Sequence, residues 1–287
     1  MPPARVVAVV PVFRPDGDVT ARIERVLAQV AGVVVVDDGS GASLGPLAAG
    51  IEFIAHDRNR GIAAALNTGI ARARQLGATH VLTLDQDTML GDGYVATSLA
   101  AFERVVGTRV GATAVDVVNA TPSVPTWTSP EGIALAPEAI QSGMLIAVDC
   151  LDDAGELDER LFIDSVDREF CHRIRARGWA LAIATGTSIE HRIGRLERQR
   201  DGSEYEWHEP FRQYYIARNG IVVARRFRRE EPEWSKVMLR STATEAWRIV
   251  RNGPRRLKHA IASAAGCVDG LLGRGGRIPR VLERMVR

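Results

Sequence analysis

Two aspartates on alternate positions, Asp85 and Asp87 in VLTLDQDTML (81–90), follow directly on a run of strand-forming residues. In extended backbone, residues i and i+2 point the same way, so both carboxylates can face one point. A carboxylate at the end of a buried strand is costly unless something positive compensates it. Two hard oxygen ligands, completed by water and phosphate oxygens, suit Mg²⁺ or Mn²⁺. The competing reading is a helix N-cap or a turn, since Asp87-Thr88 could also start a short helix.

Three other stretches carry chemistry. Asp38 in VVVVDDGSG (33–41) stands where a carboxylate could accept the imide N–H of a pyrimidine base, although Asp-Gly is equally ordinary turn chemistry. FIDSVDREFCHR (162–173) sets Asp164, Asp167 and Glu169 at the start of a helix, just after the apolar Leu161-Phe162-Ile163. One of these acids could act as a general base, while first-turn acids are also favoured simply by the helix dipole. His191 in IEHRIG (189–194) is a candidate third metal ligand, though a lone histidine is more often an ordinary surface or core residue.

The elements that must position these groups alternate. Apolar strands fit 5–13, 32–40, 51–56 and 79–87, with helical spacing over 18–30 and an alanine-rich helix over 61–77. That alternation argues a parallel sheet with helices on its faces. In such sheets ligands bind outside the carboxyl ends of the strands. Pro11-Val12-Phe13, the Asp-Asp-Gly-Ser-Gly turn and Asp85-Gln86-Asp87 sit at three of those ends, so adjacent parallel strands bring them to one crevice. Residues 106–150 read as shorter strands and loops broken by Pro122, Pro125, Pro130 and Pro137. Then come a helix stopping at Gly178, a strand, a charged segment over 195–210 assigned to the acceptor side, and a helix over 211–227. A last helix, 257–273, carries Leu257, Ile261, Ala264, Val268, Leu271 and Leu272 on one stripe, with Gly253-Pro254 as the joint before it.

The bulk numbers exclude several classes. Of 287 residues 46% are apolar and 25% charged, an ordered globular composition. No apolar run approaches the ~18 residues of a membrane span, and MPPARVV lacks the pattern of a signal peptide. Three scattered cysteines, Cys150, Cys171 and Cys267, fit a reducing cytosol and no zinc knot. The net charge of +2 hides an asymmetry: residues 221–287 carry 16 Lys/Arg against 6 Asp/Glu, leaving −8 on the rest. A basic tail on an acidic body meets something anionic. Nucleic acid is the weaker candidate, because RRFRR (225–229) has no interleaved aromatics beyond Phe227 and no helix-turn-helix or RNA-binding motif appears.

Taken together, the pieces resemble glycosyltransferase family 2 over roughly residues 5–227. The resemblance rests on VVAVVPVFRP, VVVVDDGSG, RNRGIAAALNTGI, LTLDQD, GELDERLFIDSVDREFCHRIRARGW, EHRIG and YYIARN in that order. Within the family the chain is most similar to bacterial rhamnosyltransferases, which transfer L-rhamnose from dTDP-β-L-rhamnose in cell-surface polysaccharide assembly. The resemblance implies a GT-A fold: a mostly parallel central sheet flanked by helices, with a helical C-terminal extension. It implies a catalytic domain over 1–228 (donor half about 1–105, acceptor half about 106–228) and a basic amphipathic extension over 229–287.

Site residues carry over by position. Pro11, Val12 and Phe13 resemble the first nucleotide loop, and Asp38 the aspartate that binds the base. Asn59, Gly61, Ala65 and Asn67 match a helix start beside the nucleotide. Asp85 and Asp87 match the Asp-x-Asp pair, Asp87 mainly on the metal and Asp85 nearer the ribose, and His191 completes the Mg²⁺ or Mn²⁺ site. The usual base motif, Glu-Asp-x-Asp, reads Val166-Asp167-Arg168-Glu169 when aligned on Arg173, so its first Glu is missing. Asp167 is then the base, with Asp164 in reserve. The implied reaction is inverting transfer to a glycan or polyprenyl-diphosphate-linked acceptor, in the cytoplasm and peripheral on the inner face of the membrane. There the tail would meet anionic lipid, its rival role being packing within the chain or in a homodimer. The alternative donors are UDP-hexose and UDP-galactofuranose.

Overall fold

The structure is a computed structural model, and the description covers residues 3–104, 107–123, 125, 127–129, 132–191, 196–198, 204–206, 208–252 and 255–287. Gly253-Pro254 and residues 195, 199–203 and 207 of the segment 195–210 lie outside the described residues.

Unbroken valine-rich runs make β1 (Val6–Val12) and β2 (Gly32–Asp37) buried at every position. Such runs suit strands covered on both faces. Between them α1 (Val19–Leu27) turns Val19, Ile23 and Val26 inward. β3 (Ile51–Ala55), α2 (Ile62–Gln75) and β4 (His80–Thr83) follow. β1 lies parallel between β2 and β4, and β2 pairs parallel with β3. The carboxyl ends of β1, β2 and β4 therefore share one edge, as the alternation of elements implied.

The next stretch comprises β5 (Met89–Leu90), α3 (Tyr94–Arg104), β6 (Arg109–Val118), β7 (Thr121–Pro122), β8 (Trp127–Thr128), β9 (Ala134–Leu135), β10 (Met144–Ala147) and α4 (Val148–Ala154). β6 is longer than the short strands expected there. β10 enters between β4 and β6, antiparallel to both. No helix intervenes between β9 and β10. After α5 (Val166–Ala176), β11 (Trp179–Glu190) pairs parallel with β6. The sheet order is β3-β2-β1-β4-β10-β6-β11-β9-β8. It is a mixed sheet: parallel through β3-β2-β1-β4, and interrupted by β10.

Chain contacts divide the protein into two compact units, Met1–Leu157 with Phe170–Arg192, and Asp158–Glu169 with Ile193–Arg287. The first holds the large sheet, whose main core includes Val10, Val12, Ile23, Leu82, Leu84, Tyr94, Leu145 and Ile189. The second holds the pair β12 (Leu196–Arg198) and β13 (Glu204–Glu206), then α6 (Pro210–Arg226), α7 (Pro232–Asn252), α8 (Arg256–Leu271) and α9 (Arg280–Val286). Its core gathers Tyr214, Tyr215, Ala262, Ile278 and Val286, with Phe162 against them.

α8 lies close on α6 because glycines form the contact. A Cβ at Gly266 would come within 2.3 Å of the Tyr214 carbonyl oxygen, and one at Gly270 within 2.8 Å of that of Arg218. The buried face of α8 is thus small and polar, including His259, Ala262, Ser263 and Asp269. Most of its apolar stripe points outward, leaving Leu257 74%, Val268 53% and Leu271 60% exposed, while Ile261 packs against the core of this unit. Among the described residues no helix is long and apolar enough to cross a membrane.

Candidate active site

The first unit brings Asp85, Asp87 and His191 together, each offering a ligand atom within 4.8 Å of the others. His191 Nδ1 stands 3.1 Å from Asp87 Oδ1, and its Nε2 3.6 Å from Asp85 Oδ2. Two carboxylate oxygens and an imidazole nitrogen are donors that fit Mg²⁺ or Mn²⁺, with positions left for water and phosphate oxygens.

The pair converges by a turn rather than by strand geometry. β4 ends at Thr83, and the Thr88 N–H closes back on the Asp85 carbonyl at 3.1 Å. The chain then enters β5, so Asp87 does not start a helix. Neighbours far away in sequence fix the turn. The Asp85 N–H donates to Ser142 Oγ (3.0 Å), whose hydroxyl also meets Thr88 Oγ1 (2.5 Å). With both ends of its amide satisfied, Gln141 donates to Asp85 Oδ1 at 2.7 Å and accepts from the Leu84 N–H at 3.2 Å. His191, just past β11, is gripped by Asn119: Oδ1 accepts from its N–H at 2.9 Å, and Nδ2 donates to its carbonyl at 2.6 Å. Asn119 takes φ 48°, a conformation asparagine tolerates better than most residues. Ser142, Gln141 and Asn119 lie in no motif that the sequence singles out.

The two aspartates of the Asp-Asp-Gly-Ser turn part company. Asp37 is the turn residue, accepting from the N–H groups of Ser40, Gly41 and Ala42. Asp38, 5% exposed, accepts from the Arg60 and Gly61 N–H groups, both at 2.8 Å, and contacts His56 Nδ1 at 3.0 Å. His56 Nε2 reaches Thr68 Oγ1 on α2 at 3.0 Å. A carboxylate offers about four acceptor positions, so Asp38 binds the loop ahead of α2 and keeps roughly one position beyond it. Gly39 is obligatory here: its φ is 74°, and a Cβ would meet the Arg58 backbone at 2.1 Å.

Other expected donor residues take distinct places. Pro11 and Val12 are buried at the end of β1, and Phe13 emerges from it. The Phe13 N–H donates to Gln86 Oε1 at 2.9 Å, and Arg22 Nε to the Gln86 carbonyl at 2.9 Å. The residue between the two aspartates thus ties them to the end of β1. Gly61, at φ 96°, caps α2. Asn59 Oδ1 is shielded from solvent and has no hydrogen-bond partner among the described residues. Ala65 is buried, and the Asn67 amide splints the Leu157 backbone through two 3.0 Å bonds.

The second unit contains the acids of 162–173. Asp164 pairs with Arg212, whose Nε and Nη2 lie 3.1 and 2.9 Å from Oδ1. Asp167 and Glu169 both occupy the first turn of α5, where the helix dipole favours acids. Half-buried Asp167 accepts from the Arg168 N–H at 2.7 Å. Glu169 is fully buried and bound to Arg226 at 2.5 Å, and Arg226 also holds Asp158 at 2.6 Å. Burial alone would lower the Arg226 pKa, but the bonds and charges of Asp158 and Glu169 outweigh it and hold it above the usual value. Glu169 is thereby committed to an ion pair.

The chain is similar to known proteins in sequence and in fold. The model of "Glycosyl transferase family 2" matches residues 7–137. The chain is 26% identical over 239 residues to the dTDP-rhamnosyl transferase RfbF of Shigella flexneri, covering 78% of this chain and 81% of that protein. Among solved structures it is similar to residues 1–349 of S. aureus TarS in complex with UDP-GlcNAc (TM-score 0.61, 13% identity, 98% of this chain and 84% of that one). It is likewise similar to the mannosyltransferase PcManGT of Pyrobaculum calidifontis in complex with GDP-Man and Mn²⁺ (0.59, 15%, 94% and 87%). GalNAc-T7 with UDP, GalNAc and Mn²⁺ matches 66% of this chain, which spans only 44% of that longer protein (0.56, 14%). At such identities the structural likeness establishes the fold, which is GT-A.

Proposed function

We propose that this glycosyltransferase, whose residues 7–137 form a family 2 domain, transfers L-rhamnose from dTDP-β-L-rhamnose to a glycan acceptor with inversion. The observation that carries the reading is the Asp85–Asp87–His191 cluster at the carboxyl edge of the parallel strands. The similarity to a dTDP-rhamnosyl transferase supports the choice of sugar.

In this reading Asp87 and His191 hold Mn²⁺ or Mg²⁺, and Asp85 divides between that ion and the donor. A divalent cation there would neutralise the donor diphosphate and stabilise charge on the leaving group. Gln141 and the Asp85–Ser142 bond keep the Asp85 carboxylate turned to its task. Asp38 and Asn59 offer acceptors to the base, and Phe13 and Gly61 border the nucleotide. Asp167 takes the proton of the attacking acceptor hydroxyl, while Asp164, bound to Arg212, is the reserve. A differential scanning panel tests the donor: dTDP-rhamnose with Mn²⁺ should raise Tm most, dTDP less, and UDP-sugars least. The second reading, a UDP-sugar donor, draws on the UDP-GlcNAc bound by TarS. A larger rise with a UDP-sugar than with dTDP-rhamnose would establish it instead.

The acceptor in this reading is polyprenyl-diphosphate-linked, and the enzyme sits peripherally at the inner face of the membrane. The outward stripe of α8 supports this, flanked as it is by Arg255, Arg256 and Lys258 at one end and Arg274 and Arg277 at the other. Each basic residue near anionic lipid contributes up to ~1 kcal/mol. Flotation with vesicles containing phosphatidylglycerol should carry the protein, and L271D/L272D should lose it; equal flotation of the double variant would remove the membrane from this account.

A further inference from the structure

We infer that Asn219, set by the buried Arg218 beside it, is a positioning residue that clamps the turn ahead of α5 in a strained conformation and so aims Asp167. Three of the four residues Phe162–Ser165 take positive φ while carrying a Cβ: Phe162 at 66°, Asp164 at 66° and Ser165 at 61°. The Ile163 N–H bonds back to the Leu161 carbonyl at 2.8 Å, a tight γ-turn around Phe162 with its φ of 66° and ψ of −62°. Side-chained residues hold such geometry only where surroundings over-determine it, and such places cluster at functional sites.

One face of α6 supplies the surroundings. The two N–H groups of Asn219 Nδ2 are shared among three backbone carbonyls, those of Leu161 (2.9 Å), Ile163 (2.7 Å) and Asp164 (2.8 Å). Its Oδ1 accepts from Arg218 Nε at 2.8 Å, which fixes the amide so that its NH₂ end meets those carbonyls. Arg218 Nη2 reaches the Leu161 carbonyl at 2.8 Å and that of Arg160 at 3.1 Å. Both residues are fully buried, and the Arg218 guanidinium lies 4.9 Å from the Tyr215 ring centroid. Arg212 holds Asp164, and Tyr215 stacks on Phe162 at 5.0 Å and 11°. Positions 212, 215 and 219 share a helix face. The turn they grip ends at Ser165, immediately before α5 begins with Val166-Asp167, so its dihedrals set the direction of the Asp167 carboxylate.

The inference rests on the reading of Asp167 as the base, and the experiment separates the two. Asn219→Ala is compared with wild type by steady-state kinetics, dTDP binding and hydrogen exchange at 162–167. Expected are a kcat lower by ~10-fold or more, a dTDP affinity within about twofold of wild type, and faster exchange across the turn. Adding Ser165→Gly should restore kcat several-fold, because glycine adopts positive φ freely; a merely structural role would not link kcat to the dihedral of residue 165. Unchanged kcat, unchanged exchange, or no recovery with glycine overturns the clamp. Full turnover in Asp167→Asn would instead overturn the base assignment, leaving the exchange result to judge the clamp alone. Should Asn219→Ala not fold, Asn219→Ser, which keeps one donor toward the carbonyls, gives the same readouts.

Discussion

Removing the Asn119 side chain should weaken metal binding while leaving every proposed ligand side chain in place. Its amide makes two hydrogen bonds, 2.9 and 2.6 Å, to the backbone of His191. Each is worth about 0.5–1.5 kcal/mol net. Asn119 is exposed, so the low end applies, and the pair contributes about 1–1.5 kcal/mol to holding the imidazole. At about 1.4 kcal/mol per tenfold, Mn²⁺ affinity should fall ~5–10-fold. Asn119→Ala carries a second cost, ~1 kcal/mol or more, because φ 48° disfavours a Cβ, whereas Asn119→Gly does not. Titration of Mn²⁺ in saturating dTDP, by calorimetry, should give the same loss for both variants, with a lower Tm for Ala than for Gly. An Asn119→Gly protein that binds Mn²⁺ like wild type would refute the reasoning.

Two further outcomes follow from packing and burial. Burial lowers the pKa of His80, with Asp149 opposing, and that of His259. Their neutral forms are favoured in the fold, so this stability is complete above about 6.5 and is lost as pH falls through 6.5 toward the folded values. Tm measured from pH 8 to 5 in EDTA should decline below that point, less steeply in His259→Gln; a flat profile would contradict it. Gly266→Ala places a methyl group 2.3 Å from the Tyr214 carbonyl oxygen, so urea unfolding should show a loss of about 1–3 kcal/mol. A neutral substitution would mean that α8 shifts freely on α6.

Sequence showed the parallel half of the sheet clearly, because valine runs and alternating helices act locally. It did not show β10 entering antiparallel, since strand direction depends on a partner far along the chain. The Asp-x-Asp pair was visible as spacing, whereas a lone His191 drew its role from the family resemblance and stands beside the pair in the fold. Gln141, Ser142 and Asn119 carried no signal, because a side chain that steadies a distant residue leaves no local pattern. The apolar stripe of α8 was legible, but its direction was not. Gly266 and Gly270 decide that, by making the small polar face the one that packs.

The central claim is tested most directly by following sugar-nucleotide cleavage of dTDP-β-L-rhamnose by wild type and Asp87→Ala, each with Mn²⁺ and with EDTA. Wild type should release dTDP with Mn²⁺, and chelation or substitution should lower that release at least ~10²-fold. Undiminished release in EDTA, or by the Asp87→Ala enzyme, would contradict it.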